Sequence, residues 1–149
     1  MNKLAIDFYR QMFLSLRRGN ASGEPSMAKP LLLVSLIESI TSQRSNLFTL
    51  NDPILNDYYK TNSVALSYQK VPSIIVPFFH MHTEPFYELV WKSDRRPPNF
   101  PHTPSRKTLT PLIEGAKFDC NLWALLQDCE VREYLRQCII SHYFDNSQK

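Results

Sequence analysis

Apolar residues recur with a helical period along residues 3–17. Leu4, Phe8, Met12 and Leu16 fall at four-residue steps, flanked by Ala5, Tyr9 and Phe13. Arg17, Arg18 and Gly19 fit a helix C-terminus, where positive charge and then glycine are favoured. Residues 19–28 read as a loop. Pro30 then suits the first turn of a second helix running to about Thr41. That helix is apolar nearly all round (Leu31, Leu32, Leu33, Val34, Leu36, Ile37, Ile40), the pattern of a central buried helix. Asn51 or Asp52 followed by Pro53 marks a third start, with Ile54, Leu55, Tyr58 and Tyr59 as its apolar face.

Other stretches carry a strand signal. Residues 46–50 (NLFTL) predict a short strand. Residues 73–81 (SIIVPFFHM) and 86–91 (FYELVW) are β-branched and aromatic, and HTEP between them reads as a turn, so the pair predicts an antiparallel hairpin. Pro77 makes the first run an edge strand or marks a bulge, a common place to build a site. Residues 92–109 form a long loop with Pro97, Pro98, Pro101 and Pro104. A brief strand is expected at 116–119. Asp119 can cap a short helix from Asn121 to Leu126, and Asp128 or Glu130 starts a last helix to about Tyr143. Its apolar face holds Val131, Leu135, Cys138, Ile139 and His142 or Tyr143. The expected architecture is α+β and mostly helical: a single compact domain of about five helices with a small antiparallel hairpin or sheet.

Composition narrows the function classes. The 149 residues suit one domain, and 43% hydrophobic with 21% charged residues is a globular balance. With only three glycines, no glycine-rich phosphate loop of the G-x-G-x-x-G or G-x-x-x-x-G-K-[ST] kind can be written. The net charge of +3 is unevenly spread. Residues 1–30 hold five basic and two acidic residues, and residues 92–107 hold five and one. Two basic patches favour a polyanionic partner. Cys120, Cys129 and Cys138 are odd in number and lack C-x-x-C spacing. No signal peptide opens the chain, so a cytoplasmic protein with free thiols is expected. No apolar stretch approaches the roughly 20 residues of a membrane span.

Three constellations could carry chemistry. On a strand, His80 and His82 would share a face and could share a metal, but no third ligand stands at motif spacing. Glu84, Glu88 and Asp94 lie near them without a nucleophile elbow or paired-carboxylate signature, so they read as solvated turn residues. The third is basic: Arg17, Arg18, Lys29, Arg95, Arg96, Arg106 and Lys107. Lys29 stands at a helix N-terminus, where free N–H groups and the dipole favour an anion. Arginine adds bidentate phosphate contacts. The same residues could equally be a solvated surface.

The segments FYRQMFLSLRRG, AKPLLLVSLIESI, VPFFHMHTEPFYELVW and FDCNLWALLQDCEVREYLRQCIISHYF resemble the N-terminal sulfur-binding domain of bacterial HNH-type restriction endonucleases, which recognises phosphorothioate-modified DNA. The resemblance covers nearly the whole chain. Its most specific parts are Lys29 to Leu33, Pro77 to His80, and Leu135 and Arg136 with Tyr143 and Phe144. It implies a sulfur cavity lined by Val76, Pro77 and the stem of His80. It also implies a DNA-binding rim of Arg18, Lys29, Arg95, Arg96, His102, Arg106 and Lys107. Ala28 stands where the family commonly has a histidine, and Val76 where an aromatic often precedes the proline. Both departures bear on sulfur selectivity more than on DNA binding.

The resemblance implies a recognition module of a modification-dependent restriction system, with double-stranded DNA as partner. No cofactor, metal or catalytic residue is expected, and the family's nuclease domain would lie outside this chain. A protein-interaction or dimerisation module, with a second copy as partner, stands as the alternative.

Overall fold

The computed structural model describes residues 2–21, 23–92 and 99–144. The chain opens with α1 (Lys3–Phe13), a minimal hairpin of β1 (Asn20–Ala21) and β2 (Glu24–Pro25), and α2 (Ala28–Ser39). Next come α3 (Pro53–Leu66), α4 (Ile75–His80) and β3 (Tyr87–Trp91). It closes with α5 (Arg106–Leu109), β4 (Ile113–Phe118), α6 (Cys120–Leu125) and α7 (Cys129–Tyr143). The class is α+β and mostly helical, as expected, with seven α-helices among the described residues rather than about five. None of them is long and apolar enough to cross a membrane.

Side-chain caps set most helix starts. Asn2, Asp52, Asp119 and Asp128 each accept an N–H from the first turn of α1, α3, α6 and α7. α2 is the buried centre, packed against α3, α4 and α7. Leu31, Leu32, Leu33 and Leu36 are completely buried there, and each such leucine contributes about 1.5–3 kcal/mol. Its polar residues are satisfied. Ser35 and Ser39 donate to carbonyls one turn back, and Glu38 accepts from Arg136 of α7 and Asn62 of α3.

α1 differs from its expected form in two ways. The buried face is Ile6, Tyr9 and Phe13, while Leu4 and Phe8 are exposed. A strict four-residue step drifts around a 3.6-residue helix, and tertiary partners choose the face. Tyr9 donates to Asp119, and the Phe13 ring meets Phe86 edge-on at 5.0 Å. The helix also stops at Phe13 rather than near Arg17. The Leu16 N–H donates to Tyr143 Oη (3.2 Å) and the Arg17 N–H to Glu84 Oε2 (2.9 Å), so the chain leaves the helix without losing those bonds.

The predicted hairpin of 73–81 with 86–91 does not form. Residues 75–80 are helical, and β3 pairs instead with β4, Tyr87 opposite Phe118 and Leu89 opposite Ala116. All four of these side chains are buried, while Glu88 and Lys117 pair on the wet face. The expected strand at 46–50 is reduced to one bridge, Phe48 to Ala116. That bridge explains Gly115. A Cβ there would lie 2.2 Å from the Phe48 carbonyl oxygen, and φ is +157°.

Candidate nucleic-acid interface

The segment that composition assigns to a strand becomes α4, and its proline is compatible with that helix. Pro77 lies in the first turn, where a helix needs no N–H from it, and the Phe78 N–H closes onto the Ile74 carbonyl at 2.9 Å. This changes what the segment can build. On a strand, Val76 and Pro77 would face opposite sides; on a helix, Val76, Pro77 and His80 share a face. Phe78 turns the other way, fully buried, and its carbonyl accepts from Tyr87 of β3.

That face lines a cleft of about 480 Å³. Pro72, Val76 and Pro77 give it an apolar wall. Arg17, Arg18 and the β1 segment supply another side, and the buried start of α2, Ala28 and Lys29, forms the floor. His80 and Thr83 complete the lining. The expected cavity residues Val76, Pro77 and His80 are thus brought together with Lys29 and Arg18.

The cations are held in different ways. Lys29 Nζ donates to Glu84 Oε2 at 2.8 Å and to Thr83 Oγ1 at 2.9 Å. Both members of this ion pair are buried. Glu84 is therefore no solvated turn residue: its charge balances Lys29 and the same oxygen accepts the Arg17 N–H. Arg18 lies over the Tyr143 ring, 4.8 Å from its centroid, with Nη1 3.7 Å from Met27 Sδ. Such stacking pre-orients the guanidinium while leaving other donors for a ligand. Arg17 is exposed at the cleft edge.

His80 Nε2 is hydrogen-bonded to Thr103 Oγ1, and the Phe79 ring packs against Phe100. Burial, and then the nearby charges of Lys29 and His82, hold the His80 imidazole below its ordinary value of 6.5. A base lowered on folding binds fewer protons in the native state than in the unfolded one. Its contribution to stability is therefore complete above about pH 6.5 and declines as the pH falls below it. In thermal melts at about pH 7.5 and about pH 5.5, His80→Gln is expected to narrow the gap between the two midpoints. An equal gap in both proteins would show that this proton is not linked to folding.

Of the remaining rim residues, Arg106 lies elsewhere. Arg106 donates to the Leu50 carbonyl and Asn51 Oδ1, beside a different cleft lined by Asn56, Asp57 and Tyr59. Lys107 is exposed on α5, and His102 is exposed next to Thr103. Arg95 and Arg96 lie outside the described residues. Among the described residues no three His, Cys, Asp or Glu side chains come together as a metal site. Sequence reasoning misses Glu84 as a site residue and the stacking of Arg18 on Tyr143, because the partners are 55 or more residues apart in the chain.

No known family profile matches the sequence, and no curated protein matches it. Among solved structures, the chain is similar to the sulfur binding domain and SRA domain of ScoMcrA complexed with phosphorothioated DNA. The TM-score is 0.69 at 15% sequence identity. The match covers 91% of this chain but only 42% of the other. At that identity the likeness is one of fold: nearly all of this chain adopts the fold of part of that larger protein.

Proposed function

We propose that the cleft binds the backbone of duplex DNA and prefers a linkage in which sulfur replaces a non-bridging phosphate oxygen. The chain would then act as the recognition module of a modification-dependent restriction system. The carrying observation is the convergence of an apolar wall, Val76 and Pro77, with Arg17, Arg18, Lys29 and His80 in one cleft. Sulfur is larger, softer and less strongly hydrated than oxygen, so moving it from water against Val76 and Pro77 sacrifices less. Arg17 and the stacked Arg18 are placed to hold the backbone charge, which supplies affinity without reading sequence. His102, beside the Thr103 that His80 binds, is a further candidate contact. The fold shared with part of a protein solved on phosphorothioated DNA supports the same reading.

The test is a binding titration with two duplexes of identical sequence, one carrying a single phosphorothioate linkage. The modified duplex is expected to bind more tightly, and both affinities should fall with salt by a log–log slope of about −0.9 per neutralised phosphate. Equal affinities overturn sulfur preference. No binding at low salt overturns DNA recognition, and a stable dimer indifferent to DNA would favour the interaction-module alternative.

A further inference from the structure

The buried partner of Lys29 bears on how such a cleft could tell sulfur from oxygen. A phosphate and a phosphorothioate diester carry the same formal charge, so simple attraction cannot separate them. A free ammonium can, in the wrong direction: N–H donors bind a hard oxygen more strongly than a soft sulfur. Lysine has three donors, and here two of them are engaged, one with Glu84 and one with Thr83. The floor also carries no net charge, because a carboxylate only 4% exposed lies 2.8 Å from the ammonium.

Building on the DNA reading above, we propose that Glu84 is a specificity-determining residue. It occupies and neutralises Lys29, so the floor does not reward oxygen, and the apolar wall decides which linkage is held. Glu84 is suited to this because it is fixed from two sides. Its Oε2 accepts both Lys29 Nζ and the Arg17 N–H, tying the start of α2 to the segment that carries Arg17 and Arg18. A glutamine whose carbonyl takes the place of Oε2 keeps both hydrogen bonds and removes only the charge. Glu84→Gln is therefore a test of charge with little change of shape.

The experiment titrates wild type and E84Q with the same paired duplexes across a salt series. E84Q is expected to bind the unmodified duplex more tightly, with a salt slope steeper by about 0.9. The preference for the modified duplex should fall by about tenfold, since one charge-assisted hydrogen bond strengthened for oxygen is of that size. An unchanged preference and slope in E84Q, with the wild type selective, overturns the Glu84 assignment alone. A parallel loss of affinity for both duplexes also overturns it, because a purely structural residue would behave so. Wild type that binds both duplexes equally, or neither, overturns the reading on which the assignment rests. Where E84Q does not fold, Lys29→Met combined with E84Q carries the test, since no lone charge is left buried. The salt slope is then unchanged and the modified duplex stays preferred; loss of preference in the double variant overturns the assignment.

Discussion

Truncating Phe86 to alanine is expected to lower the free energy of unfolding by about 3–5 kcal/mol. The ring is completely buried. It meets Phe13 of α1 edge-on at 5.0 Å and Phe118 of β4 at 6.2 Å. These contacts join three elements distant in sequence, so no single one can move inward to fill the space. The loss combines transfer of the ring to water with the cavity left behind, against a total stability of about 5–15 kcal/mol for a domain. Chemical denaturation followed by tryptophan fluorescence measures it. A change below about 1 kcal/mol would show that the aromatic cluster relaxes into the gap. The site should feel the same change, because Phe86 follows the buried Glu84 by two residues and helps hold the turn that presents it.

Val76→Asp is expected to weaken binding of both duplexes by about 100-fold while the protein stays folded. Val76 is only half-buried, and it lies in the first turn of α4, where a carboxylate is tolerated and favoured by the helix dipole. Its side chain forms part of the apolar wall. Like charges about 4 Å apart repel by about 4 kcal/mol at an effective dielectric constant of about 20, some three decades of affinity. Counterions at the open cleft reduce that figure, which leaves about two decades. The paired-duplex titration reads the effect directly. Unaltered affinity in a variant with wild-type melting would show that DNA does not enter this cleft.

Local signals in the chain account for much of this molecule. Asp52, Asp119 and Asp128 announce their helices because a capping carboxylate acts within three residues of itself. The apolar run from Leu31 to Ile37 announces a buried helix because no face of it can tolerate water. The face of α7 is read correctly at Val131, Leu135, Ile139 and Tyr143, which are buried, while Cys138, expected on the same face, is only half-buried. Residues 73–81 are misread because β-branched and aromatic composition outweighs the position of a single proline. Pro77 at a helix start and Pro77 on an edge strand are equally consistent with the sequence, and the partner of β3 decides between them. β4 takes that place, since Ala116 and Phe118 meet Leu89 and Tyr87 on the buried side of the sheet.

By itself the sequence determined the helical class, the central helix, most of the caps and the basic residues available to meet an anion. Those features depend on spacing and charge within a few residues. Tertiary structure alone decided which of the residues share a cleft and in what state. It placed Val76, Pro77 and His80 on one helical face, removed Arg106 to another cleft, and turned Lys29 from an exposed cation into half of a buried ion pair. The physical reason is range. An ion pair between residues 55 positions apart leaves no periodicity to read, and its formation depends on every element folded between them.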